Sequence, residues 1–176
     1  MGSFDVGIEF SYGWCTLRLT DGVESVEIRN HWLNDGFPEL VDSVNLLLEG
    51  RRSVSCRWQR EVAGGHFVDL VSDPHGGLSV VVHAFHQDEP GDAAQVWSAE
   101  RGSVVFRAHV PFNEFVLRFA AALRVVRTLS TDPAGMIGHW GYPFPQTAFE
   151  LLERRAVRLG YKPRARPEIE EERDGG

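Results

Sequence analysis

The sequence predicts an α+β fold in which a mainly antiparallel β-sheet of about seven strands carries three helices on one side. Segments that alternate apolar and polar residues, as strands do, follow one another without helices between them. Patterns with apolar residues three and four positions apart, typical of helices, lie between the two groups of strands and after the second group. The predicted order is therefore βββ-α-ββββ-αα.

The first three strands are predicted over residues 4–12, 15–20 and 26–29, where the alternation is clearest. Gly13 marks a turn between the first two. Asp21-Gly22 predicts a two-residue hairpin between the next two, because glycine tolerates a positive φ. The chain is thus expected to open with an antiparallel meander.

The first helix is predicted over residues 37–48, and Gly50 provides its C-terminal stop. Four strands follow over residues 54–59, 67–71, 78–85 and 104–110, and residues 96–97 are a further short candidate. Residues 78–85 are apolar on both faces, which is typical of a central strand covered on both sides.

The longest helix is predicted within residues 111–129, with its stop near Ser130 before Pro133, and it carries the largest apolar stripe of the sequence. The stripe consists of Phe115, Val116, Phe119, Ala122, Leu123 and Val126. Asn113 suits the N-cap, since its side-chain oxygen can accept a hydrogen bond from a free backbone N–H. A last helix is predicted from about Pro145 to Gly160, where glycine ends it.

Composition indicates one globular domain. The 176 residues are 43% hydrophobic and 24% charged, close to globular averages, and we place the domain at residues 1–161. Residues 162–176 are rich in Pro, Glu and Arg and predict a disordered tail. No apolar run approaches the roughly 18 residues that span a bilayer. The first residues do not have the pattern of a secretory signal, so we expect a cytoplasmic protein.

The net charge of −7 narrows the classes of partner. Binding to a phosphate backbone needs clustered Lys and Arg, so a nucleic-acid partner is not expected. An acidic surface suits a basic protein partner. Cys15 and Cys56 match no zinc or redox spacing and are expected to be free and buried.

The sequence contains no recognised catalytic motif. The nucleophile elbow, the zinc-protease motif and the phosphate-binding glycine loops are all absent, so no catalytic residue, metal site or cofactor is assigned. An enzyme is accordingly the less favoured class. The alternative is a small-ligand-binding protein or unrecognised enzyme. In that case His83, Arg107 and His109 line a pocket between the sheet and the longest helix.

A loop rich in aromatic residues follows the longest helix and is the most unusual stretch of the chain. Long loops are often functional, and Trp and Tyr are enriched at binding hot spots. The predicted binding residues are His139, Trp140, Tyr142 and Phe144 of this loop, extended by Trp32 in the loop before the first helix. The alternative is that these rings fold back to cap the core between the last two helices.

These observations favour a non-enzymatic protein-interaction module. An inhibitor or immunity-type protein that binds a basic protein partner fits the acidic, single-domain, motif-free chain. A homodimer joined through an exposed sheet face or edge is a further alternative.

Overall fold

The computed structural model describes residues 3–31, 36–59, 64–86, 101–129, 140 and 143–160. Within these residues the elements follow the predicted order βββ-α-ββββ-αα, and the α+β class is confirmed. The elements are β1 (Asp5–Ser11), β2 (Trp14–Thr20), β3 (Ser25–His31), α1 (Gly36–Leu48), β4 (Ser53–Gln59), β5 (Gly65–Ser72), β6 (Gly77–Phe85), β7 (Val104–Pro111), α2 (Phe112–Leu129) and α3 (Gln146–Arg158). The strand candidate at residues 96–97 and the predicted tail lie outside the described residues.

The described strands form two antiparallel sheets rather than one. The first sheet has the order β1-β2-β3, and the second has the order β4-β5-β6-β7. Strand β6 pairs with β5 on one side and β7 on the other, as its doubly apolar sequence predicts. The pairing of β6 with β7 has an irregular register at Val82/His83.

Two side chains bind the edge of β4 that faces β3, where the two sheets are separate. The Oδ1 atom of Asn30 in β3 accepts a hydrogen bond from the backbone N–H of Gln59 at 3.2 Å. The Oε2 atom of Glu39 in α1 accepts one from the backbone N–H of Arg57 at 2.9 Å. These edge donors are thus satisfied by side chains instead of by carbonyls of β3.

The main apolar core of the described residues lies between the inner faces of the two sheets and the helices, and Phe67 and Phe85 form a second, small buried cluster. Helix α2 packs against β1 and α3, while α1 packs against β4 and α3. The predicted stripe of α2 is buried throughout, which confirms that prediction. None of the helices in the described ranges is long and apolar enough to cross a membrane.

The two cysteines are free and fully buried, as predicted. Burial raises the pKa of both thiols, and that of Cys56 rises to about 12. The thiol of Cys56 lies 3.9 Å from the backbone carbonyl oxygen of Glu39, a distance that suits a weak sulfur hydrogen bond. Both side chains therefore act as small apolar groups in the core.

The predicted two-residue hairpin at Asp21-Gly22 is wrong. Thr20 pairs with Ser25, so residues 21–24 form a longer connection between β2 and β3. The carboxylate of Asp21 accepts hydrogen bonds from the backbone N–H groups of Val23 and Glu24, both at 2.8 Å. These bonds stabilise the wider turn, because an Asp side chain can imitate a backbone turn.

Helix α2 begins one residue earlier than its predicted N-cap. Phe112 is already helical, so Asn113 lies in the first turn. The backbone N–H of Phe112 donates to the carbonyl oxygen of Gly76 at 2.8 Å. A tertiary contact to the β5–β6 turn thus provides one of the partners that a helix start requires.

Candidate functional site

The described aromatic residues of the predicted loop belong to the core. Trp140 is only 1% exposed, and its ring centroid lies 5.1 Å from that of Phe10 and 6.4 Å from that of Phe37. Phe144 is half-buried, with its ring centroid 5.4 Å from that of Phe149. Both rings thus pack on the core, but Trp140 contacts β1 and α1 rather than the gap between the last two helices. The other predicted binding residues lie outside the described residues: Trp32, His139 and Tyr142.

The three residues of the predicted alternative pocket do not come together. His83 pairs with Phe67 across β5, whereas His109 pairs with Ser79, four residues before His83 on β6. At about 3.3 Å per residue, this places His83 and His109 roughly 13 Å apart. Arg107 pairs with Val81 between them.

His83, Arg107 and His109 also lie on the outer face of the four-stranded sheet, so they cannot line a pocket between this sheet and α2. Side chains alternate along a strand, and the neighbours of His83, Arg107 and His109 point into the core. Those buried neighbours are Val82, Phe106, Ala108 and Val110. The described interface between this sheet and α2 is therefore lined by apolar side chains rather than by the three predicted polar ones.

The structure instead brings His83 to Asp69. The Nε2 atom of His83 lies 3.6 Å from Oδ2 of Asp69. Arg101 donates to both carboxylate oxygens of Asp69, at 2.7 and 3.1 Å, and to the hydroxyl of Ser55 at 2.9 Å. Its guanidinium carbon lies 4.6 Å from the ring centroid of Phe67. Arg101 thus attaches the chain just before β7 to the outer side of the four-stranded sheet.

The Asp69 cluster lacks the arrangement of a nucleophilic site. The Ser55 hydroxyl bonds to the carboxylate of Asp69 and accepts from Arg101, but a carboxylate whose pKa Arg101 lowers is a poor base for activating a serine. Burial alone would raise the pKa of Asp69, but bonds from Arg101 and Ser55 outweigh it and lower that pKa. In the part of the chain that the structure describes, no three His, Cys, Asp or Glu residues could hold a metal ion.

The exposed side of the three-stranded sheet is the other prominent surface. We call the side chains of β1–β3 that point away from the core the outer face; they are Asp5, Gly7, Glu9, Ser11, Trp14, Thr16, Arg18, Thr20, Ser25, Glu27, Arg29 and His31. Arg18 is central and forms ion pairs with Glu9 at 3.2 Å and Glu27 at 2.8 Å. Glu27 also pairs with Arg29 at 3.1 Å. The face is therefore charged and exposed around Arg18, whereas Thr16 and His31, towards the β1–β2 turn, are buried.

Acidic groups outnumber basic groups on this surface. The outer face holds three carboxylates and two guanidinium groups, and the β2–β3 turn adds two more carboxylates, which gives a net charge of −3. The carboxylates are those of Asp5, Glu9, Asp21, Glu24 and Glu27. Arg18 and Arg29 are both neutralised within the face, so the excess charge is negative.

Tyr12 stands at one end of the outer face in an unusual conformation. Ser11 pairs with Trp14, so Tyr12 and Gly13 form a two-residue turn with φ values of 48° and 83°. Type I′ turns require positive φ at both central residues and favour Asn, Asp or Gly there. Tyr12 is the one non-glycine residue with positive φ among the described residues, and it is 88% exposed.

The conformation of Tyr12 carries a cost in folding free energy. A left-handed conformation costs a residue other than glycine about 1–2 kcal/mol. Because Tyr12 is almost fully exposed, its ring contributes little burial that would offset this cost. Sequence reasoning missed it, although an aromatic residue directly before Gly13 in a tight turn was the available signal.

Fold and surface together define a small α+β chain that presents a charged sheet face with an exposed tyrosine at its edge. Such a face can form ion pairs and aromatic contacts with another macromolecule. Comparison of the chain with protein-family models, curated proteins and solved structures gives no significant match.

Proposed function

We propose that this chain is a non-enzymatic protein-interaction module of the inhibitor or immunity type, which binds a basic protein through the outer face. Tyr12 is the observation that carries the proposal. Its conformation disfavours folding and its ring is exposed, and Tyr is one of the residues enriched at binding hot spots. Strained and exposed residues of this kind are concentrated at functional sites.

The charge of the outer face supports a basic partner. With a net charge of −3, the face and its turn attract cationic surfaces and repel nucleic acid. Two copies of the same acidic face also repel each other, so a homodimer through this face is disfavoured. The free thiols suit a reducing compartment, and we therefore place the module in the cytoplasm.

The test is capture of a partner by immobilised protein, followed by titration of the purified partner. Tyr12→Asn should remove the aromatic ring while keeping the turn, since Asn is favoured at positive φ. We expect a basic protein to be captured by the wild type, and Tyr12→Asn to weaken its affinity about 30-fold, as expected for a hot spot of about 2 kcal/mol. The affinity should also fall as salt is raised.

Val125→Gln is the matched control. Val125 is an exposed apolar residue on α2, outside the outer face, and is 58% exposed. Its replacement should leave capture and affinity unchanged. The proposal is refuted if Tyr12→Asn binds the captured protein as tightly as the wild type does, or if binding is insensitive to salt.

A further inference from the structure

The outer face contains a shallow depression of about 420 Å³. We call it the Gly7 notch, because Gly7 has no side chain to fill it. Its polar rim and floor are formed by two rows of paired residues that cross the sheet. The rows are Asp5, Thr20 and Ser25, and Gly7, Arg18 and Glu27.

Neither conformation nor space requires glycine at position 7. Gly7 is not among the residues with positive φ. A Cβ atom there would meet the nearest side-chain atom, Cβ of Arg18, at 3.5 Å, which is ordinary van der Waals contact. Gly36 is a contrasting case, because its Cβ would lie 2.6 Å from the carbonyl oxygen of Arg57.

Glycine inside a strand also weakens the strand. It costs roughly 0.5–1 kcal/mol relative to alanine, because glycine loses more conformational freedom on folding. Strand glycines often mark places where a ligand or another chain approaches closely. Gly7 is one of the residues that line the notch, beside the stem of Arg18, whose Cδ atom lies 4.0 Å from the point that a Cβ of residue 7 would occupy.

The charges around the notch select a cationic occupant. Arg18 is already bound by Glu9 and Glu27, so its positive charge is compensated. Within the described residues, the carboxylate of Asp5 has no ion-pair or hydrogen-bond partner, and Asp5 is exposed. The notch therefore combines an available carboxylate with room for an alkyl chain.

We infer that the Gly7 notch receives a lysine or arginine side chain of the basic partner. The alkyl stem lies over the backbone of Gly7, and the cationic group lies against the carboxylate of Asp5. Long basic side chains bind in this way, with the stem on the surface and the charge at an acceptor. This inference rests on the proposed function. It names the side chain of the partner that binds in the outer face.

Gly7→Val fills the notch without threatening the fold. Valine is favoured in strands, so the variant should unfold at the same or a higher denaturant concentration than the wild type. Asp5→Asn keeps the shape of the rim and removes its charge. Val71→Thr is the control, because Val71 is exposed on the other sheet.

The probe is Nα-acetyl-lysine methylamide, titrated into ¹⁵N-labelled protein and followed by amide chemical shifts. We expect saturable shifts centred on Gly7, Arg18 and Ser25, and none with the uncharged norleucine analogue. Gly7→Val should abolish them, and Asp5→Asn should weaken binding about two- to fivefold, as expected for an exposed ion pair. The arginine analogue, run in parallel, shows which cation fits better.

The inference is overturned if neither cationic probe gives saturable shifts, or if the shifts persist in Gly7→Val. Titration of the captured partner separates this inference from the proposed function. A partner that is lost by Tyr12→Asn but bound normally by Gly7→Val refutes the notch and leaves the function intact. A partner that is retained by both variants refutes the function as well.

Discussion

At the scale of single residues, Asp69 shows how one carboxylate connects distant parts of the chain. It binds Arg101, which precedes β7, and it lies beside His83 of β6. Its side chain is 20% exposed, so solvent screens these interactions only in part. The bonds favour the charged form, and the pKa of Asp69 is therefore lower in the folded protein than in the unfolded chain.

This shift predicts a contribution to stability that depends on pH. A carboxylate with a lowered folded-state pKa stabilises the protein above its unfolded pKa of about 3.9, and the stabilisation is lost as pH falls through the folded-state value. Asp69→Asn should be less stable than the wild type by about 1 kcal/mol at neutral pH, after allowance for screening. The difference should shrink as the pH falls below about 4.

Urea unfolding of both proteins across this pH range measures the effect. Asp5→Asn is the control, since Asp5 has no bonding partner among the described residues. A constant difference between Asp69→Asn and the wild type down to the lowest pH would contradict the assigned role of Asp69.

Residue-scale features were predictable only where they depend on local pattern. The burial of Cys15 and Cys56 follows from their places in alternating segments. The contact of Asp69 with Arg101 was not predictable, because it depends on how a connection without regular pattern crosses the sheet. Tyr12 was detectable in principle, since a two-residue turn disfavours an aromatic residue at its first position.

At the scale of elements, α1 and α3 are joined by a residue that the helical pattern assigns to the surface. Asn45 is a polar residue outside the apolar pattern of α1, yet it is only 5% exposed. Its Nδ2 atom donates to the carbonyl oxygen of Ala148 at 2.9 Å. Arg155 donates to the backbone carbonyl of Asn45 at 2.9 Å and to Oδ1 at 3.3 Å. The spacing of apolar residues in α1 shows which side of the helix packs on the sheet. It cannot show that α3 covers an adjacent side of α1.

Asn45→Ala should therefore destabilise the protein by about 1–3 kcal/mol. The substitution leaves the carbonyl of Ala148 without this donor and removes one acceptor from Arg155. Chemical denaturation provides the measurement, with Asp42→Ala, at an exposed position of the same helix, as control. The control should change stability by less than about 0.5 kcal/mol. Equal effects of the two substitutions would show that the Asn45 contacts do not join the helices.

At the scale of the whole molecule, the element order was predictable and the division into two sheets was not. Order follows from the succession of periods along the chain. At the division, Asn30 and Glu39 bind backbone N–H groups of β4. In the sequence both look like ordinary polar residues, since their role appears only when β3, α1 and β4 meet.

Residues that stabilise the fold and residues proposed to bind a partner lie on different faces of the molecule. The inner faces and helices form the apolar core, whereas the outer face carries residues that weaken folding, namely Tyr12 and Gly7. Such residues are expected where selection acts on function rather than stability. The cost of these residues to stability can be measured before any binding partner is known.

The claim that Tyr12 serves binding at a cost to stability is tested most directly by urea denaturation. The quantity to compare is the free energy of unfolding of Tyr12→Asn and of the wild type. Asn adopts the left-handed conformation of this turn more readily than Tyr, and the exposed ring contributes little to the core. We expect Tyr12→Asn to be more stable than the wild type by about 1 kcal/mol. If Tyr12→Asn is instead less stable than the wild type, Tyr12 supports the fold, and the reason for assigning it to binding is lost.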